Sequence, residues 1–278
     1  MLIIRNTALY CKKYGLAETF WRIQLEFRRR ILRPFMARLV EWNGNRWKLD
    51  GCIFNLDHPL ITTYLKSSFV SKMYEQDLRQ LIKKHLHTDK PTVEFGASIG
   101  VVSCITNTLL DDPKAHIVVE ANPEVIDLLD MNKKENKCEF TVKHAAIAYG
   151  VDAIPFFIHK KSTGGSLHSK GGREVRVPTI SLKQLLGESG FDNINLIVDI
   201  EGAEISLIAQ EADFISDHVQ TLFIEMHPEL GKELVRSDEV PQDDDSSNAL
   251  QILQEKGFSL IDQDFTTYVF ERKNGKTV

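Results

Sequence analysis

The sequence predicts an α/β fold, a doubly wound and mostly parallel sheet preceded by a helical N-terminal extension. Three observations carry that expectation. From Thr92 onward, short apolar runs alternate with segments of helical period. The run Val93-Glu94-Phe95 breaks into the small-residue turn Gly96-Ala97-Ser98-Ile99-Gly100. A second run, His116-Ile117-Val118-Val119, ends on Glu120.

The elements follow in order. Residues 1–50 read as one or two helices with a break near Pro34, and 51–65 as short strands. Apolar residues from Phe69 to Leu86 recur at helical spacing, which predicts one helix over 68–87. Strand one is 92–95, the next helix about 100–110, and strand two 116–120. Pro123 opens a helix to about 136, since proline suits a first turn. Strand three covers about 139–146, and the apolar run 153–158 pairs as a further strand. The glycine- and serine-rich stretch 162–173 reads as a loop and a candidate lid. Ser181 is placed to cap a helix over 182–188. Strand four is 195–200, an unbroken apolar run suited to a central parallel strand. A helix 204–214 and strand five, 221–225, come next. The acidic stretch 236–247 reads as a surface loop. A helix 248–256 and two strands, 258–263 and 266–271, close the chain. The expected division is an extension, 1–67, and a main domain, 68–278.

Of the 278 residues, 42% are hydrophobic and 26% charged, an ordinary globular balance. The net charge of −5 argues against nucleic acid as a partner. It is unevenly spread. Residues 1–50 hold eleven Lys/Arg against four Asp/Glu, a net +7, which leaves −12 for the rest. That basic head, with Phe20, Trp21, Leu25, Phe27 and Ile31, is either a solvated helix face or a contact for an anionic lipid surface or acidic glycan. The four cysteines (Cys11, Cys52, Cys104, Cys138) show no CxxC spacing, so neither a zinc knuckle nor a dithiol centre is expected. Cys104 and Cys138 read as small buried hydrophobes. No apolar run reaches membrane-spanning length, and Met1-Leu2-Ile3-Ile4-Arg5 lacks the order of a signal peptide. The expected location is cytoplasmic, with peripheral membrane association as the alternative that the second reading of the head carries.

Ligands of open α/β sheets bind beyond the carboxyl ends of the strands. Gly96, Ala97, Ser98 and Gly100 lie at such an end, where glycines permit close backbone approach. Glu120 ends the neighbouring strand and can accept both hydroxyls of a ribose. The turn has no third glycine in the helix start, which favours a nucleoside joined to an amino acid over a dinucleotide. Glu94 needs a partner inside its strand, and a ligand ammonium is one candidate. Asp199-Ile200-Glu201-Gly202-Ala203-Glu204 crowds three carboxylates at the end of strand four, with Glu204 placed to cap the next helix. Glu225 and His227 end strand five. Asp199, Glu201, Glu225 and His227 form an acid/base set or a divalent-metal site, with the metal unsupported by any ligand spacing.

These residues resemble the FkbM-type S-adenosylmethionine-dependent methyltransferases. The resemblance runs from Val93–Gly100 through Glu120-Ala121-Asn122-Pro123, Asn132 and Asn136 to Ser181-Leu182, Ile194–Glu204 and Phe223-Ile224-Glu225. It departs at Glu94, Ser98 and Ala121, where the family has Asp, Asn and Glu. It implies a Rossmann-like, seven-stranded sheet of the class I methyltransferase type, S-adenosylmethionine as cofactor, and O-methylation of a sugar, glycan or related small molecule. It further implies that Gly96, Ala97, Ser98 and Gly100 border the methionine moiety and that Glu120 holds the ribose. Asn122, His144 and Ala145 would meet the adenine, Glu75 the methionine ammonium, and Asp199 the sulfonium.

An alcohol needs a base to accept its proton. Asp199 is the first candidate, Glu201 the second, and His227 the alternative; His168 on the loop is a further one. Two other functions compete. One is a nicotinamide-dependent oxidoreductase, against which the missing glycine counts. The other is a non-catalytic methyltransferase-like scaffold in a glycan assembly complex.

Overall fold

The computed structural model describes residues 27–158, 165–166, 173–227 and 245–273. The aromatic part of the basic head before Phe27, Cys11, and His168 with most of the candidate lid lie outside them. So does the acidic stretch up to residue 244.

Seven strands form one sheet: β3 (Thr92–Phe95), β4 (His116–Glu120), β5 (Thr141–His144), β10 (Ile194–Val198), β11 (Val219–Glu225), β12 (Phe258–Asp264) and β13 (Thr267–Arg272). Their order is β12-β13-β11-β10-β3-β4-β5. Neighbours are parallel from β11 to β5, and β13 runs antiparallel between β11 and β12. The chain starts in the middle at β3, winds outward to β5, then crosses to β10. That reversal opens a crevice between the carboxyl ends of β3 and β10. The doubly wound sheet with helices on both faces, and a helix ahead of it, is as the sequence predicts.

Strand alternation divides the core. Val93, Phe95, Val119, Leu196, Val198, Leu222 and Ile224 pack on one face with α6 (Leu182–Ser189), α7 (Glu204–His218) and α8 (Asp245–Glu255). Ile99, Val118, Val125 and Leu129 pack on the other with α4 (Val101–Asn107) and α5 (Pro123–Glu135). There the core continues into α1 (Arg33–Trp42), the hairpin of β1 (Arg46–Leu49) and β2 (Cys52–Asn55), and α2 (Thr63–Val70). The Asn136 side chain donates to the Ile53 carbonyl and accepts its N–H, fastening β2 to α5. Cys104 and Cys138 are buried, as expected.

Local chemistry explains the boundaries. Pro123 stands in the first turn of α5 behind the Asn122 cap. Ser181 and Gln184 form a capping box at α6. Five expectations need correction. The stretch 1–50, expected helical, ends in strand β1, and of 51–65, expected as short strands, only Cys52–Asn55 is strand while α2 starts at Thr63. Pro34 breaks no helix: a π-turn over Arg28–Leu32 runs into α1, and Pro34 sits in its first turn, where no N–H is required. The helix expected over 68–87 is two, α2 and α3 (Gln76–His85), parted by Lys72 and Glu75 in left-handed conformations. Helical spacing persists across that break and conceals it. Strand three ends at His144; Ala146–Ile147 (β6) leaves for a second sheet, ordered β6-β9-β7-β8, with β7 at Ala153–Ile158, β8 at Gly165–Ser166 and β9 at Arg173–Ile180. The last three residues of the acidic stretch open α8 rather than lying in a loop.

Candidate functional site

A cleft of about 320 Å³ opens at the carboxyl ends of β3, β4 and β10. Its base is the turn after β3. Gly96 has φ +91°, and a Cβ there would lie 1.6 Å from the backbone oxygen of Asp199. Two strand ends thus meet backbone to backbone, which only glycine allows. Ser98 is also left-handed, with φ +48°. That conformation aims its N–H at Oε2 of Glu120, 2.6 Å away, while the N–H of Asn122 donates to Oε1 at 2.6 Å. Burial pushes the Glu120 carboxyl up to about 7, against the pull of these N–H groups. A carboxylate oxygen has two acceptor directions, so both oxygens retain capacity for a ligand.

Across the cleft stand Asp199 and Glu201. Glu201 is left-handed, φ +54°. Glu204, at the start of α7, is almost fully buried. It accepts the N–H groups of Ile200 at 3.2 Å and Gly202 at 2.9 Å, and its Oε1 lies 2.8 Å from Nδ1 of His227. Nε2 of His227 lies 3.8 Å from both Asp199 and Glu225. Burial, then the charges of Glu75, Glu225, Glu201 and Glu204, hold the Asp199 carboxyl well above the usual range. Burial raises Glu201 too, partly countered by His227. Burial disfavours charge on His227, but the Glu204 hydrogen bond and the surrounding carboxylates outweigh it and raise it to about 9. Asp199, Glu225 and His227 each offer a ligand atom within 4.8 Å of the others. This oxygen-rich set suits a hard divalent cation.

The break between α2 and α3 supplies a third wall. Tyr74 stacks on Phe69, centroids 4.9 Å apart, and lines the cleft with Glu75. Burial, then the charges of Glu225 and Glu201, push Glu75 up to about 7. Arg79 holds this break: its guanidinium donates to the carbonyls of Tyr74 at 2.7 Å and Lys72 at 2.6 Å, and pairs with Asp50. Sequence reasoning missed Arg79. It also missed Tyr64, Ile147 and Phe156, which line the cleft from α2 and the second sheet. The only sequence signal was Phe156 within the apolar run 153–158.

The Methyltransferase FkbM domain family matches residues 94–260. The chain belongs to that family. No curated protein matches it by sequence. Solved structures similar to it are distant. A protein of the NADB-Rossmann superfamily from Streptococcus agalactiae is 10% identical over 72% of this chain and 70% of that one, TM-score 0.42. Ribosomal protein L11 methylase from Lactobacillus delbrueckii subsp. bulgaricus is 13% identical over 71% and 77%, TM-score 0.41. An O-methyltransferase from Bacillus cereus in complex with SAH is 9% identical over 69% and 77%, TM-score 0.38.

The predicted site residues of this FkbM family member divide. Glu75, Gly96, Ser98, Glu120, Ala145, Asp199 and Glu201 line the cleft, and His227 adjoins Asp199. The others lie elsewhere. Glu94 points to the opposite side of β3, where it accepts from Ser103 at 2.7 Å and lies 3.4 Å from His116. Strand alternation turns it away from the face of Val93 and Phe95, and these buried partners replace the expected ligand ammonium. Ala97 packs in the core. At Gly100 a Cβ would meet Leu129 at 2.6 Å, so this glycine admits α5 rather than a ligand. Asn122 caps α5, its Oδ1 accepting the N–H of Glu124 at 3.0 Å. His144 is exposed, 3.2 Å from the Ala121 carbonyl.

Proposed function

We propose that this chain transfers a methyl group from S-adenosylmethionine to a hydroxyl of a sugar, glycan or related small molecule. One observation carries the reading: Glu120, both oxygens oriented by backbone N–H groups, shares a cleft with Asp199. Glu120 fits the hydroxyls of a ribose, Val119, Ala145, Ile147 and Phe156 suit a flat base, and Glu75 suits an ammonium. S-adenosylmethionine, when bound, supplies an electrophilic methyl carbon on a sulfonium.

The chain's residues then orient the acceptor and take its proton. Displacement at carbon is in-line, so positioning supplies much of the rate. Asp199 is the base. Its carboxyl pKa, held well above the usual range by burial and the neighbouring acids, makes it a stronger base than an ordinary aspartate. His227 is cationic at neutral pH and therefore a poor base. It serves as a counter-charge that keeps Asp199 and its acidic neighbours together. Glu201 helps hold the Asp199 pKa up.

A second reading is favoured by the trio Asp199, Glu225 and His227. These residues would hold a divalent cation, which lowers the pKa of a bound hydroxyl. One assay tests both. Purified chain is incubated with S-adenosylmethionine and hydroxyl-bearing glycan or small-molecule fractions, with and without chelator. S-adenosylhomocysteine release and a product heavier by one CH2 are expected. Transfer to amines alone would refute O-methylation, and full activity after chelation would remove the metal.

A further inference from the structure

The helical run from Phe27 to Trp42 buries only one side. Ala37 and Val40 face the core, while Phe27, Ile31, Phe35 and Trp42 are 51%, 57%, 52% and 76% exposed. Their spacing of four, four and seven sets them in one stripe. Arg28 and Arg38 are exposed beside it. From Phe27 to Val40 the sequence carries five arginines and no acidic residue, in a chain of net charge −5. The first acid, Glu41, pairs with Lys66. On the core-facing side with Ala37 and Val40, Arg33 lies over the ring of Tyr64, 4.8 Å from its centroid, and Tyr64 and Met73, both exposed, line the cleft.

We infer that this face docks on an anionic lipid surface, with the aromatic and aliphatic side chains among the headgroups and Arg28 and Arg38 against lipid charge. Arginine beside tryptophan and phenylalanine is the composition of an interfacial helix. A second copy of the chain is a poorer occupant. A two-fold interface would set these arginines against their own copies, and like charges in contact oppose association. No helix among the described residues is long and apolar enough to cross a membrane, so the contact is peripheral. It needs no cofactor and stands apart from the reaction at the cleft.

The test is co-sedimentation of the full chain with phosphatidylcholine vesicles, with and without roughly one-third phosphatidylglycerol. Binding is expected only to the anionic vesicles, weakening as salt rises. Arg28→Ala with Arg38→Ala should reduce it by about 25-fold, because each arginine near such a surface contributes about a factor of five. Phe35→Ser with Trp42→Ser should reduce it by at least about tenfold. All four side chains are exposed, so thermal melts should match wild type. Failure of wild type to bind anionic vesicles, or unchanged binding in both variants, overturns the inference. So does a dimer in light scattering that Phe35→Ser with Trp42→Ser dissolves without any vesicle binding.

Discussion

Glu204 ties His227 to the turn after β10. Its Oε1 lies 2.8 Å from Nδ1 of His227, and its Oε2 accepts the N–H of Gly202 at 2.9 Å. As a carboxylate it can only accept, which places a proton on Nδ1. One buried acid thus sets both the backbone carrying Asp199 and Glu201 and the charge of the histidine beside them. Glu204→Gln keeps the shape and removes the charge. The His227 pKa should fall from about 9 toward 6.5, read by NMR titration of the ring. Glu204→Ala strands two N–H groups and should cost about 1–3 kcal/mol in urea unfolding. A His227 titration unmoved in Glu204→Gln would show that other carboxylates carry the shift.

Gly96 and Asp199 pack backbone against backbone, with no room for a Cβ between them. Gly96→Ala should destabilise by roughly 2–4 kcal/mol, combining a φ of +91° with a clash against an immovable carbonyl. Gly150 supplies the control. It has φ +73° with open space around its Cβ position, so Gly150→Ala should cost only about 1–2 kcal/mol. Equal urea midpoints for the two variants would remove the close approach from the account.

Stability should fall as pH rises from 5 to 9. Glu75 and Glu120 are raised from 4.5 to about 7, and His227 from 6.5 to about 9. Across those windows the folded chain holds protons that the unfolded chain has released, so each upward step in pH favours unfolding. The melting temperature without ligand should be higher at pH 6 than at pH 8. Glu120→Gln should shrink the difference. Ligand affinity should run the other way: a charged Glu120 accepts ribose hydroxyls best, so S-adenosylhomocysteine should bind more weakly at pH 6 than at pH 8. A melting temperature that climbs over this range contradicts the burial of these groups as charges.

Much of the fold was legible because its signals are local. The β3 turn, Glu120 at the end of β4, and Asp199–Glu204 are contiguous segments whose strand ends follow from apolar runs. What escaped was set by contacts distant in sequence. Nothing near residue 75 marks the left-handed turn that Arg79 and Asp50 hold in place. The departure of Ala146–Ile147 into a second sheet depends on pairing with Thr179 and Ile180. Glu94 and Gly100 sit in the right motif, but the partners each meets, Ser103 and His116 for the one and Leu129 for the other, come from other elements.

The central claim is that Glu120 grips the nucleoside while Asp199 serves the reaction, and calorimetric titration with S-adenosylhomocysteine separates the two. Wild type should bind. Glu120→Ala should lose about 1.5–3 kcal/mol of affinity, the worth of a charged hydrogen bond. Asp199→Ala should stay within about tenfold, or ~1.4 kcal/mol. Undiminished affinity in Glu120→Ala, or no binding by wild type, would contradict the account.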